Sequence, residues 1–540
     1  MKCKFIVFIF ALILFSQNIF ASDHFDYSSL RQISILDQGR IKPLDTFARE
    51  SVRAITGQIY FKGKDPLETL LGWLARPEEA MASPLILSRY EPLNQKMGFQ
   101  TFEHRLIPKS LSDNKEFQPT LKNIFLKEQA QETLSESEKE AALIYRRLEM
   151  LIKILSGSSI FIFPDPLQAA GWSSLETLSN QDKAQDLKNI LEDFTQKKYS
   201  AFNADSKNFA EDLKKMDKEA GKYPGERALK REICFNHLRP FQKAWILFLG
   251  TFVLMLFSFE RGGGGASWFY RIALLTAIAG VGISIYGFVL RCLIAGRPPV
   301  SNMYESVIWV SFASVIFALI FEAIYRSRFF LLSASALSTL GLVLADNLPN
   351  VLSPSIHPLV PVLRSNFWLT IHVLTITLSY AAFMLAMGIG QLTLGYYAFK
   401  PLAKERIKAL NLFLYRAIQV GVVLLAAGTI LGGVWANYSW GRFWGWDPKE
   451  VWALIALLGY IAILHGRYAG WLRDFGMTAW SVLSFLLVMM AWYGVNFVLG
   501  VGLHSYGFSS GGFKEVISFV LLMLAWVGFA TYRYKKSFPP

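Results

Sequence analysis

Residues 440–471, WGRFWGWDPKEVWALIALLGYIAILHGRYAGW, decide how this chain is read. Their first half sets Trp440, Trp444, Trp446, Trp452 and Phe443 beside Arg442, Asp447, Lys449 and Glu450, and Gly441, Gly445 and Pro448 interrupt any long helix before Val451. From Val451 the stretch turns into an apolar run of the roughly 20 residues that a helix needs to cross a bilayer. An aromatic loop feeding a spanning helix makes this an integral membrane protein. Tryptophan favours the membrane–water boundary, where its ring is buried and its N–H stays wet. The density here exceeds what an anchoring belt needs, although an ordinary aromatic girdle is the plainer alternative.

Working outward, about nine apolar segments of spanning length follow position 241, at roughly 241–259, 268–290, 305–325, 329–345, 367–399, 411–436, 451–471, 475–499 and 514–532. The composition agrees, with 540 residues, 53% hydrophobic, 15% aromatic and only 18% charged. A formal net charge of +14 invites a nucleic-acid reading, but the basic residues are scattered through short connections, and topology explains them better. With each span reversing sides, the basic connections at 326–328, 400–408 and 467–473 and the tail 533–536 fall inside, as the positive-inside rule requires. The same count puts 291–304, 346–366, 437–450 and 500–513 outside.

Ahead of the spans, residues 1–21 read as a secretory signal or a retained anchor, with Lys2 and Lys4 before an apolar run. Residues 22–240 are polar and carry no spanning run, so the expectation is a soluble, mostly helical extracytoplasmic domain, followed by the membrane domain 241–540. Its clearest helix covers 135–155, with Ile144, Leu148, Leu151 and Leu155 on one face. The segment 37–57, DQGRIKPLDTFARESVRAITG, predicts a turn at Gly39 and a helix capped by Asp45. The fold class is therefore an all-α polytopic membrane protein with an extracytoplasmic helical extension. Cys3, Cys234 and Cys292 have no CxxC or zinc-type spacing, and nothing in the spacing pairs Cys234 with Cys292.

The histidines point to chemistry. His372, a short way into a span, and His504, just past the end of another, both fall on the outer side with the tryptophan loop. Two imidazoles on opposite faces of a planar macrocycle would supply both axial ligands of haem iron, and an aromatic shelf with rim charges suits that ligand. His465 lies toward the inner end of the 451–471 span as a buried ionisable group, either a deeper haem ligand or a helix-packing histidine. His237 and His357 sit outside the spans without comparable context, and His24 and His104 have no metal-spaced partners. Arg442, Lys449 and Arg364 are outer-face cations able to pair with haem propionates or with lipid headgroups. Asp447 before Pro448 reads as the N-cap of the next helix, and Glu305 as a first-turn acid complementing a helix dipole.

The spelling WGRFWGWDPKEVWAL resembles the tryptophan-rich WWD signature of the CcsA (ResC) family of the system II cytochrome c biogenesis pathway. The similarity extends through PPVSNMYES, the LTIHV segment at His372, the LHGR segment at His465 and GVGLHSYGF at His504, so it covers roughly the last 280 residues. The resemblance implies that His372 and His504 are external axial haem ligands, that His465 is a transmembrane ligand, and that Trp440, Trp444, Trp446, Asp447 and Trp452 form the haem-contacting loop. It implies haem b received from the inner side of a bacterial cytoplasmic membrane and presented on the periplasmic side. It further implies joining haem to the CXXCH thiols of apocytochrome c, with a CcsB (ResB)-like membrane protein as partner and the pair acting as a haem lyase. Residues 22–240 do not look like CcsB, so that partner is expected as a separate chain. A haem exporter or chaperone without a direct part in ligation is the alternative.

Overall fold

A computed structural model describes residues 24–130, 132, 134–165, 171–177, 181–259, 264–349, 351–504 and 511–538. The expected signal or anchor at 1–21, with Cys3, lies outside the described residues. The chain divides into a unit ending at Ile233 and a second beginning at Cys234, a little ahead of the composition change.

In the first unit, β1 (Ser34–Asp37) and β2 (Arg40–Pro43) form an antiparallel hairpin. Its turn residues Gln38 and Gly39 have φ of 49° and 76°, the two positive values that a two-residue type I′ turn needs. The next helix, Leu44–Thr56, is capped by Pro43 and not by Asp45 as expected. Asp45 is held instead by Arg31 at 2.5 Å and Arg49 at 2.8 Å. A carboxylate this deeply buried must be paired, and that demand outweighs the local capping preference. The short strands β3 (Ile86–Leu87) and β4 (Arg105–Leu106) pair with each other, while β5 (Phe161–Pro164) and β6 (Trp172–Ser174) complete a sheet of order β2-β1-β5-β6. Around these strands the unit is mostly helical. Its expected long helix runs Glu136–Leu155 behind a Ser135/Glu138 capping box and buries Ile144, Leu148 and Leu151.

The second unit holds nine helices, among the described residues, that are long and apolar enough to cross a membrane. Their α-helical parts are α1 (Pro240–Phe257), α2 (Gly264–Ala295), α3 (Met303–Tyr325), α4 (Phe329–Asn347), α5 (Leu374–Phe399), α6 (Lys404–Trp440), α7 (Pro448–Tyr468), α8 (Asp474–Met489) and α9 (Phe513–Ser537). The protein is thus an all-α polytopic membrane protein with an amino-terminal extension. Helix α5 is the most buried. Its Phe383 stacks on Tyr460 of α7 at 3.8 Å and 10°, and Gly421 of α6 admits the same ring, since a Cβ there would lie 2.5 Å from it. Small residues let membrane helices approach in this way without a hydrophobic drive between them.

Two spans are irregular where they leave the apolar layer. Ahead of α5, Leu369–Val373 forms a π turn within the continuous stretch Asn366–Phe399, and α8 runs on into a π segment, Met490–Leu499. Such widened turns shift the side chains that follow them and are common at functional sites.

Candidate functional site

One cavity gathers these irregular ends. It opens to the surface, and His372, His504, Trp444, Lys449 and Asn496 are among the residues that line it.

His372 stands on the π turn before α5. Its Nδ1 meets the Gly428 carbonyl of α6 at 2.8 Å, and the Trp435 ring packs edge-on against it at 5.6 Å. A carbonyl only accepts, so Nδ1 carries the proton and Nε2 is left with its lone pair. Gly432 makes room for the ring, because a Cβ there would lie 2.7 Å from His372 Cε1.

His504 is built from the other side by the loop before α7. Its Nδ1 meets Asp447 Oδ1 at 2.7 Å, and Trp440 packs edge-on against the ring at 5.0 Å. Asp447 does cap α7, accepting from Lys449 N at 3.0 Å, but it also accepts from Leu503 N at 2.6 Å with its second oxygen. Burial opposes ionisation of this carboxyl, yet the His504 hydrogen bond and the backbone donors outweigh it and hold the group at about 2. An ionised carboxylate only accepts, so His504 also donates from Nδ1 and leaves Nε2 for a ligand. Gly502, at φ 97°, lets the chain pass, since a Cβ there would come within 2.4 Å of Asp447 Oδ2.

The loop itself is clamped by Glu450. Its Oε2 accepts from Gly445 N at 2.8 Å and Asp447 N at 3.2 Å, and its Oε1 takes Arg442 at 3.2 Å. Arg442 also lies over the Trp440 ring at 5.7 Å. The expected cations therefore separate. Arg442 is already paired, Arg364 is exposed and donates to Leu359 O, and only Lys449 lines the cavity. Lys449 Nζ donates to the neutral Asn496 Oδ1 at 3.2 Å and forms no ion pair among the described residues.

The tryptophans divide as well. Trp444 lines the cavity and Trp440 backs His504, whereas Trp446 meets Trp444 edge-on at 6.0 Å and is 72% exposed. Trp452 is half-buried and does not line the cavity. His465 departs furthest from expectation. Instead of being buried in the span, it is exposed on the outside of α7, with Nδ1 turned back to the Ile461 carbonyl at 3.0 Å. Eighteen residues of helix, about 27 Å, separate it from Asp447. Cys234 and Cys292 are unpaired.

The Arg291–Glu305 pair was not foreseen. Both side chains are fully buried, with Arg291 Nε 2.7 Å from Glu305 Oε1, and Arg291 also donates to Pro354 O at 2.9 Å. Glu305 Oε2 accepts from both Ser301 N and Ser301 Oγ at 2.7 Å, fixing the loop whose Val300, Ser301 and Asn302 form one cavity wall. An Arg inside the apolar run YGFVLRCLIA was the available signal, because a charge in a span requires a partner.

Residues 300–504, which include both cavity histidines and the whole tryptophan loop, match the family model described as cytochrome C assembly protein. The CcsA cytochrome c biogenesis protein of Synechococcus sp. (strain CC9902) is 32% identical over 302 residues, covering 50% of this chain and 98% of that protein. Protein NrfI of Wolinella succinogenes is 30% identical over 496 residues, reaching through the amino-terminal unit to cover 87% of this chain. The chain spans about half of NrfI, 53% of its length. A solved structure of the cytochrome c haem lyase CcmF shares 14% identity at a TM-score of 0.38 over 57% of this chain and 51% of that one, too low to establish a common fold.

Proposed function

The chain belongs to the CcsA family of cytochrome c biogenesis proteins, and we propose that it serves cytochrome c maturation by holding haem b between His372 and His504 and presenting it to apocytochrome c. The observation that carries this reading is the matched state of the two imidazoles. Each lines the same cavity, each is tied through Nδ1 to an acceptor-only group, and each thereby keeps Nε2 for iron. A histidine metal ligand commonly has such a partner on its other nitrogen, which fixes the tautomer and raises the basicity of the ligating atom.

The rest of the lining fits the same substrate. Trp444 and Trp435 offer flat apolar surface, and Lys449, which forms no ion pair among the described residues, offers a cation suited to one propionate. Trp440 and Asp447 act through His504, and Glu450 acts through the loop. These groups bind and orient; the reactive vinyl and iron centres belong to the haem. With His465 outside α7, its part in haem handling falls at the contact with a CcsB (ResB)-like partner chain and not within this cavity. The cavity end of the bundle is taken as the periplasmic side of the bacterial cytoplasmic membrane.

Absorption spectroscopy of the purified protein tests the reading. Wild type is expected to carry six-coordinate, bis-histidine haem, and His372→Ala or His504→Ala to lose it or turn it five-coordinate. An unchanged spectrum in both variants would overturn the ligand assignment. Binding of a CXXCH peptide and thioether formation with the partner present separate ligation from simple haem export.

A further inference from the structure

A second cleft lies at the other end of α7. It is bounded by the end of α5, the first turns of α6, Arg467 at the end of α7, the start of α8, and Phe538 after α9. It is therefore built from three of the connections that the charge bias assigns to the cytoplasmic side. About 30 Å of helix separates it from the His504 site, and it shares none of that site's residues.

The cleft is graded from charge to oil. Lys404 and Lys408 lie one turn apart on the same face of α6, both exposed, and neither forms an ion pair among the described residues. Arg467 joins them but is shared with Asp474 at 2.5 Å, and Glu405 is the other acid in the lining. No side chain caps the start of α6, so the positive end of its helix dipole adds to the potential at the same spot. Deeper in, Ile407 and Met477 are buried, and Asn411 is fixed between the Tyr397 hydroxyl at 3.3 Å and Thr478 Oγ1 at 2.7 Å. The one polar group described in this apolar floor is thus satisfied internally, whereas the lysines at the mouth form no ion pair among the described residues.

A cleft that opens at the ends of membrane spans is within reach of both water and lipid. Water suits a uniformly polar space, but a cationic mouth above an apolar floor suits an amphiphile with an anionic head. Anionic phospholipids of the cytoplasmic leaflet have that chemistry and are attracted by basic residues at the membrane surface. We propose that this cleft is a binding site for an anionic phospholipid, its phosphate headgroup against Lys404 and Lys408 and an acyl chain against the Ile407–Met477 floor.

The test is native mass spectrometry of the full chain released from nanodiscs of phosphatidylcholine mixed with phosphatidylglycerol. Wild type should retain phosphatidylglycerol selectively. The Lys404→Gln, Lys408→Gln double variant should lose that retention by roughly tenfold or more. Removing two tail cations outside the cleft, with Arg533→Gln and Lys536→Gln, should leave it unchanged. Ala409→Phe keeps every charge but fills part of the cleft, and it should also displace the lipid. That variant decides the matter if the double variant does not fold. Equal loss in the tail variant, or full retention in Ala409→Phe, would mean diffuse surface attraction and overturn the proposal. Excess inorganic phosphate should not displace the lipid; displacement would reassign the cleft to a free anion.

Discussion

The two ends of α7 solve opposite problems. At the Asp447 end nearly every polar atom is committed: Asp447 serves a helix cap, the Leu503 amide and the His504 ring, and Glu450 clamps two backbone amides and Arg442. Lys449 and the two Nε2 atoms are among the groups that face the cavity for a ligand. At the Arg467 end the reverse holds: Arg467 is paired with Asp474, but Lys404 and Lys408 at the mouth form no ion pair among the described residues, while the buried Asn411 is bonded to Tyr397 and Thr478. A site for a ligand of fixed geometry requires preorganised groups, whereas a site for a fluid amphiphile requires mainly charge and room.

The sharpest break in that contrast is Asp447→Ala. It removes the cap of α7, about 1 kcal/mol of helix stability, and frees His504 to rotate. Loss of such an orienting partner lowers metal affinity by about 10–100-fold, so haem titration of the purified variant should show a fall in that range. An unchanged affinity would demote Asp447 to a cap alone. Lys449→Met should cost about tenfold in haem affinity, one charge-assisted hydrogen bond, while leaving the bis-histidine spectrum intact. Gly432→Ala should act several-fold more weakly than Asp447→Ala. Its Cβ would push on the edge of the His372 ring, which can yield at the expense of the Gly428 hydrogen bond, and the change should appear as an altered ligand-field spectrum.

Much of this was legible in the sequence, for identifiable reasons. The nine spans are readable because a spanning helix must be apolar along its length, and the long helix at 136–155 because its apolar stripe is local. His372 and His504 were nominated by charge rarity and topology. Their orienting bonds were hidden because Gly428 and Asp447 lie 56 and 57 residues away, and nothing local links them. The π turns were invisible, since no residue type marks them. Asp45 misleads because its sequence context is that of a cap, while Arg31, which claims it together with Arg49 one turn on, meets it only in the folded unit. The Arg291–Glu305 pair is hidden for a simpler reason: Glu305 at a helix terminus reads as a dipole partner, and the helix that carries Arg291 is joined to it only by the fold.

His465 shows the limit of reading a span by composition. A histidine among apolar residues reads as buried, but a helix presents one face to its neighbours and another to lipid, and the run IAILHGR does not say which face holds the ring. The structure puts it outside, satisfied by the carbonyl one turn back. If the cavity is self-contained, His465→Ala should leave haem affinity and the spectrum of the isolated chain unchanged, the smallest effect of the series. Its effect should emerge only when a partner chain covers that face of α7, as slower loading of the cavity from the cytoplasmic side. Loss of haem from the isolated variant would break the contrast between the two ends, because it would mean that the outer cavity depends on a group about 27 Å along the helix.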